Sequence, residues 1–401
     1  MMKASRWRGT KLKPKLKNAK FDSAFIKFDM AMQLDVRDKK DRTPLEMALL
    51  RGHTNLAESI LRHGSDPNFV NSQGMTPLHV ICKRKEDDYL LEKFYRICDE
   101  LNLEVQVGAR DKSGKTPLHY ALADDVCKDH IVRQLLLRRA DPHAVDAEGS
   151  TGLHVICRRK HDDDMTEIFF EILDDLQQTV QLIARDKLGR SPLEWAVANF
   201  QSKTVEELLR RGDDLSDFVF PCETYYDETF PSQRITDNDS KLKVACRVLV
   251  CLNWLTREGY ELTSSDHLTI VKFFAKHELF LAPEDLPSLE EFALRAKNIK
   301  VKYGGSVYDC IATNPLRVAK LITIQNSLDY PPIPIEMCEM QLCEMISRRF
   351  FLNLALYPFW KLIHYRLPVE ICEIILNTLM NKDILSVILA AINEGNYSIL
   401  Y

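Results

Sequence analysis

The sequence predicts an all-α protein in two parts: an array of stacked helix pairs joined by hairpin turns, and a helical region after it. Three observations predict this. A turn-and-cap phrase recurs five times between residues 38 and 194, apolar residues follow each copy, and beyond residue 221 the phrase stops while helical periodicity continues.

The phrase is an acidic or amide residue, two variable residues, usually Gly, one more residue, then Thr-Pro-Leu-His. It is complete at Asn71–His79 and Asp111–His119, and altered at Asp38–Glu46, Asp146–His154 and Asp186–Glu194. With Thr43, Thr76, Thr116, Thr151 and Ser191 as markers the spacings are 33, 40, 35 and 40 residues, the range of two-helix repeats. Asp and Gly build a turn, Thr caps a helix N-terminus, and Pro takes the first helical position. One such unit cannot bury its own apolar face, so stability comes from stacking.

A longer period overlies the short one. Gly74–Lys85 returns 75 residues later as Gly149–Lys160, and Ala109–Lys112 returns as Ala184–Lys187, the mark of two adjacent repeats duplicated together. The long members carry about seven extra residues, in Phe94–Val107 and Phe169–Ile183. Apolar residues continue there at helical spacing (Phe94, Ile97, Leu101; Phe169, Ile172, Leu176), which predicts an extended second helix.

On these residues the chain resembles the ankyrin-repeat family. Ile60–Asn68 and Leu136–Pro142 are similar to that family's second-helix ending and following hairpin. The departures are Asp41 in place of Gly, Gly152 in place of Pro, and Glu46 and Glu194 in place of His, each expected to weaken one cap.

The expected segments are a basic tail (1–20), the repeats (21–221), a helical connector or cap (222–302) and a C-terminal domain (303–401). The tail holds eight basic residues and no acidic one, and reads either as a nuclear-import or anionic-surface tail or as a solubilising leader. Cys222–Ser240 reads as an irregular connector. Leu242–Arg257, Leu268–Phe280 and Leu289–Ala296 read as helices that cover the end of the array. Phe350–Tyr365, broken by Pro358 and Lys361, reads as a core helix pair.

In the last segment, Leu367–Leu385, Pro368 opens a helix with Glu370 in its first turn. Ile371, Ile374, Ile375 and Leu379 form an apolar stripe, Asn381–Asp383 a turn, and Ile384, Val387 and Ile388 a second stripe. The Leu-Pro, Ile, Ile-Leu, Leu and Asp-Ile-Leu steps resemble the start of an F-box. At the C-terminus, behind ankyrin-like repeats, this is similar to the PRANC domain of poxviral and parasitoid-wasp ankyrin proteins, and Gly305–Cys310 is similar to that domain's beginning. The resemblance implies docking on the Skp-type adaptor of a cullin-RING ubiquitin ligase through Leu367, Pro368, Ile371, Ile374, Ile375, Leu379 and Ile384. The alternative is that this stripe packs on Phe350, Phe351, Phe359 and Trp360 within the chain.

Composition narrows the remaining classes. A net charge of −4 over 401 residues does not argue for a nucleic-acid or membrane partner, and no run approaches the length of a membrane helix. Eleven irregularly spaced cysteines and no signal-peptide core fit a reducing compartment, cytosol or nucleus. The His-x-x-Cys pairs His79/Cys82 and His154/Cys157 read as capping and packing residues, and Cys246/Cys251 and Cys338/Cys343 are spaced too widely for a zinc knuckle. No phosphate loop, nucleophile elbow or metalloprotease motif occurs, so neither an enzyme nor a cofactor is expected.

Basic residues recur at the inner-helix ends and turn tips: Lys83, Arg84, Lys85, Lys112, Lys115, Arg158, Arg159 and Lys160. Inner helices and tips form the binding face in the family that the repeats resemble. These residues are therefore candidates for contacting an acidic protein target. The alternative is that the cations serve the helix C-termini on which they stand. The expected function is an adaptor linking a target held by the repeats to a ligase, or else a scaffold or sequestering protein without a ligase link.

Overall fold

A computed structural model describes residues 37–38, 41–85, 89–124, 129–160, 162–212, 215–229, 235, 237–279, 297, 306, 309, 313–324 and 339–393. The basic tail, Leu289–Ala296, Gly305, Cys310 and Cys338 lie outside them. The architecture is helical throughout, as expected, with repeat helix pairs in the first half and longer helices after them. The chain divides into two compact units, residues 1–120 with 138–140 and residues 121–137 with 141–401.

The repeat helices are α1 (Pro44–Leu50), α2 (Thr54–Arg62), α3 (Pro77–Lys83), α4 (Leu90–Glu100), α5 (Pro117–Ala123), α6 (Asp129–Leu137), α7 (Gly152–Cys157), α8 (Met165–Asp175), α9 (Pro192–Ala198) and α10 (Ser202–Arg210). Within the first unit α1 packs on α2 and α3, and α2 on α4; within the second, α7 packs on α9, and α8 on α6 and α10.

Each turn tip closes on itself. Asp111 N–H donates to Lys115 O, Gly114 N–H to Asp111 O, and the Asp111 carboxylate accepts from the Ser113 and Lys115 amides. Gly74, Gly114, Gly149 and Gly189 sit at φ 74–77°, where L residues are strained. Asp41 takes the same place at φ 62°, a conformation Asp tolerates better than most residues. Tips also bond to one another: Lys112 N–H donates to Gln73 O at 2.9 Å, and Lys187 N–H to Glu148 O at 2.8 Å. A Cβ on Gly74 or Gly149 would stand 3.0 or 3.1 Å from the neighbouring lysine nitrogen, so these glycines permit the close approach. Gly152, where the family has Pro, lies where a Cβ would meet Leu122 Cδ1 at 2.9 Å.

In four of the repeats the residue three past the N-cap also binds the next turn. Thr76 N–H donates to His79 Nδ1 at 3.1 Å, which leaves the imidazole proton on Nε2, and Nε2–H donates to Lys115 O at 3.0 Å. His154 repeats this with Thr151 and Arg190 O. Glu46 and Glu194 do the same job with the opposite polarity. Glu46 accepts from Asn71 Nδ2 at 2.9 Å, and Glu194 closes a capping box with Ser191 and accepts from Val219 N–H at 3.3 Å. The substitutions of His by Glu therefore exchange a donor for an acceptor without losing the junction, and at Glu194 the reciprocal cap is kept as well, contrary to the weakening expected there.

The long repeats differ from expectation. α4 and α8 have 11 residues against 9 in α2, α6 and α10, so the second helix is extended only slightly. Leu101 and Leu176 cap them, and Asn102 and Gln177 at φ 53° turn the chain out, with Leu103 N–H bonding back to Cys98 O at 2.8 Å. Much of the remaining length separates α3 from α4 and α7 from α8.

In the second unit the chain continues through a 3₁₀ turn (Leu215–Asp217) into α11 (Glu223–Thr229), α12 (Asn238–Arg257), α13 (Ser264–Lys276), α14 (Pro315–Ile324), α15 (Glu339–Leu362), α16 (Val369–Thr378) and α17 (Asn381–Asn393). α11 replaces the irregular connector. Its Tyr226 is buried against Phe200 of the last repeat and Phe273 of α13, at ring distances of 5.1 and 5.3 Å. α12 packs on α10, α14 and α15, and its near-complete apolar circumference is buried accordingly. It covers the last repeat, as a solenoid end requires. Arg247 of α12 supplies a positive field to Asp162, a fully buried carboxylate that also accepts from Ser202 Oγ at 2.8 Å. α13 starts earlier than expected because Thr263 and Asp266 form a reciprocal cap. α15 is one helix rather than a pair, and Pro358 is carried within it.

Burial holds the His79 and His154 side chains below the ordinary histidine pKa. Above about pH 6.5 folded and unfolded chains are both neutral at these sites; below it the unfolded chain binds protons first, so stability falls with pH. Urea midpoints are expected to decline from pH 7 to 5, and His79→Gln with His154→Gln is expected to flatten that slope.

Candidate interaction surfaces

α16 turns its Cys372/Leu376 face, and not the isoleucine stripe, towards α15. Cys372 and Leu376, one turn apart, are fully buried where α16 packs on α15. The expected stripe consequently points outward: Ile371 is 42% exposed and Ile374 61%, with Ile375 half-buried. Periodicity did not settle the phase because this helix has apolar residues on both faces. The small Cys372 side chain lets α16 sit close to α15.

Leu367, Pro368 and Val369 continue the exposed strip, and Leu379 is half-buried. The strip is held in place by Trp360, whose Nε1–H donates to Leu367 O at 2.9 Å and whose ring meets Tyr365 edge-on at 4.7 Å. Ile384 is a correction. It is fully buried with Leu385, Ile388 and Ala391 on α17, which packs on α15, so it cannot anchor a partner. The helix of α17 starts at Asn381, where a turn was expected; Asn381 is buried and bonds Glu344 O at 2.8 Å and Ser347 Oγ at 3.0 Å.

The alternative packing does not hold for Ile371 and Ile374, which are exposed; Phe350 and Phe351 contact His267 and Phe274 of α13. Beside the strip, a cleft of about 390 Å³ between α15 and α16 is lined by Arg348, Arg349, Leu352, Glu373 and Leu376 among others.

The basic candidates separate into two groups. Arg84 is buried and donates to Leu49 O, in the last turn of α1, at 3.0 Å. Arg159 is buried at the equivalent place, donating to Leu122 O at 2.9 Å and pairing with Asp163. Both tie one repeat to the previous one, which corrects their assignment to target contact. Arg158 is half-buried and also committed internally, with Asp186 at 2.7 Å and Ser150 Oγ at 2.9 Å. Lys83, Lys85, Lys112 and Lys160 are exposed, and Lys115 is half-exposed.

An arrangement that the residue-by-residue reading missed becomes clear in the 75-residue register. In the second unit Arg158 and Arg190 lie over the Trp195 ring at 4.1 and 4.6 Å, while Trp195 Nε1–H donates to Asp186 at 3.0 Å. In the first unit the equivalent Lys83 and Lys115 lie over Tyr120 at 5.4 and 6.0 Å, and Tyr120 O–H donates to Asp111 at 2.6 Å. Applying the duplication to side chains as well as to motifs would have found both cages.

The metal reading of the His-x-x-Cys pairs has no support. Cys82 and Cys157 are fully buried, both ring nitrogens of His79 and His154 are engaged, and no cluster of three or more metal-ligating side chains occurs among the described residues. No described helix is long and apolar enough to cross a membrane.

Residues 45–128 and 123–218 match the family model described as ankyrin repeats (3 copies). With its helix pairs, caps and turn tips in place, this stretch consists of ankyrin repeats, and such repeats imply protein–protein interaction. It is similar to mouse (Mus musculus) NF-kappa-B inhibitor delta, 34% identical over 93 residues, 23% of this chain and 27% of that protein. Rat (Rattus norvegicus) NF-kappa-B inhibitor alpha is 31% identical over 98 residues, 24% of this chain and 30% of that protein. Mouse Rabankyrin-5 is 28% identical over 180 residues, 44% of this chain and 14% of that protein. The chain thus spans less than a third of each of these relatives.

Arg84→Ala and Arg159→Ala, which remove the buried side-chain donors that join Leu49 O and Leu122 O to the following repeat, are each expected to lower stability by about 1–3 kcal/mol. Lys83→Ala and Lys85→Ala are expected to stay within about 0.5 kcal/mol. Urea unfolding of the four variants checks the division between joint and surface.

Proposed function

We propose that this protein is an adaptor with two protein-binding surfaces. The repeats (21–221) hold a target protein, the segment 222–302 connects and covers them, and the domain 303–401 recruits the Skp-type adaptor of a cullin-RING ubiquitin ligase through its F-box-like helices at 367–392. The observation that carries this reading is the outward strip Leu367, Val369, Ile371 and Ile374. Five of the exposed large apolar side chains, these and Tyr365, fall within ten residues of one another. Patches of that kind mark interaction sites in soluble proteins.

A helix offering Ile371 and Ile374, preceded by an ordered Leu-Pro step, suits a helix-in-groove contact. Ile375 and Leu379 form its half-buried margin. The target-binding candidates reduce to the accessible cations Lys83, Lys85, Lys112, Lys115 and Lys160, which favour an acidic protein surface.

A second reading is a scaffold or sequestering protein without a ligase link. The similarity to NF-kappa-B inhibitors favours it, because those proteins are named for inhibiting a partner.

The experiment is a pull-down from eukaryotic cytosol with the full chain and with Leu367→Asp/Ile371→Asp, probing for the Skp-type adaptor and its cullin. Both positions are exposed, so the variant is expected to fold. Retention by the wild type and loss in the variant is the predicted result; no retention by the wild type leaves the scaffold reading.

A further inference from the structure

The two aromatic cages are the same construction, each with the chain's own carboxylate on its ring, Asp186 on Trp195 and Asp111 on Tyr120; they differ in whether a cation reaches that carboxylate. In the second, one does. Asp186 Oδ2 accepts from both Trp195 Nε1–H and Arg158, whose guanidinium also covers the ring. Arg190 is buried there, and its guanidinium lies over Tyr225 as well, at 3.7 Å. Every charge in that cage has an internal partner or a covering ring.

In the first cage the arginines are replaced by lysines and the indole by a phenol. Asp111 accepts from Tyr120 O–H, from Ser113 and from the Lys115 amide, but from neither ammonium group. Among the described residues neither Lys83 nor Lys115 forms an ion pair. Lys83 is exposed, and Lys115 and Tyr120 are half-exposed. The result is a half-open phenol flanked by two cations that have no carboxylate, beside a further exposed lysine, Lys112.

We propose that Lys83, Tyr120 and Lys115 form an anion clamp that takes an Asp or Glu side chain from an acidic segment of the protein bound by the repeats. The proposal rests on the reading of the repeats as a target-binding surface and names the chemistry it selects. Two converging ammonium groups attract the carboxylate, and the Tyr120 ring provides a flat wall against its methylene. The ring holds both lysines near the site before binding, through cation–π attraction. In the second cage the cation Arg158 is paired by the chain's own Asp186; in the first, Asp111 is taken up by the Tyr120 hydroxyl, Ser113 and the Lys115 amide, and the carboxylate for the two ammonium groups is to come from the partner.

The test is fluorescence anisotropy with the full chain and a short fluorescein-labelled peptide of Asp, Glu and Gly, beside its Asn, Gln and Gly counterpart and a single-stranded oligothymidylate. The acidic peptide is expected to bind in a salt-sensitive manner and the amide peptide not to bind. Lys83→Glu/Lys115→Glu is expected to weaken binding at least about tenfold. Tyr120→Leu is expected to weaken it a few fold, and Tyr120→Phe, which keeps the ring, to change it little. Lys382→Glu, an exposed lysine on α17, serves as the charge control and is expected to leave binding within about twofold.

Equal binding by the double variant with a native thermal midpoint would overturn the clamp, as would oligothymidylate binding tighter than the acidic peptide. If the double Glu variant unfolds, Lys83→Gln/Lys115→Gln is read by the same criteria. Failure of the wild type to bind the acidic peptide refutes the clamp alone. Failure of the full chain to retain any cytosolic protein sensitive to repeat-surface substitutions refutes the target-binding reading beneath it.

Discussion

The junction between repeats depends on the side chain three residues past each N-cap. It must satisfy the cap backbone on one side and a group in the following turn on the other, and it does so inside the protein, where a missing partner is costly. Histidine meets the requirement as a neutral group with an acceptor at Nδ1 and a donor at Nε2, and finds a carbonyl opposite. Glutamate meets it with two acceptors, and finds an N–H opposite, from Asn71 or Val219. The polarity of the next turn therefore dictates the residue. At the end of the array the partner is Val219, just past the 3₁₀ turn, and α11 and α12 then close the last repeat with Tyr226 and a helix that buries 11 of its 20 residues.

Arg84 and Arg159 add a second joint, running backwards to the preceding first helix. Together with the tip-to-tip amide bonds these explain why the duplicated pair keeps Thr-x-Leu-His and the basic triplet so closely. Most of that identity is structural. What differs between the copies, Lys83, Lys115 and Tyr120 against Arg158, Arg190 and Trp195, is where one cage is sealed and the other is open. The sealed one pairs its Arg158 internally, while the open one leaves Lys83 exposed and Lys115 half-exposed.

The helix-pair array was legible in the sequence because its signals are local: a capping Thr, a Pro at the first position and a Gly at the tip each have one conformational use. The register of 75 residues correctly identified the duplicated unit. What was not legible depended on contacts far apart in the chain. Leu101 and Leu176 kept a helical period, but Asn102 and Gln177 ended the helices. Arg84 and Arg159 looked like surface cations until the carbonyls of Leu49 and Leu122 were seen beside them. In α16 apolar residues lie on both faces, and only packing against α15 selects Cys372 and Leu376 as the buried pair and leaves Ile371 and Ile374 outside. Ile384 failed for the converse reason, since a stripe at the same spacing on α17 is the one that α15 covers.

The orientation of α16 is the claim on which the adaptor reading stands, and thiol labelling measures it directly. Native Cys372 and a thiol introduced by Ile374→Cys sit two positions apart on the same helix, so they report opposite faces under identical conditions. In the folded protein treated briefly with a maleimide and read by peptide mass spectrometry, the thiol at 374 is predicted to label rapidly, as exposed Cys222 does, and Cys372 only after denaturation. Rapid labelling of Cys372 with protection at 374 would contradict the account, because the isoleucine face would then be the buried one.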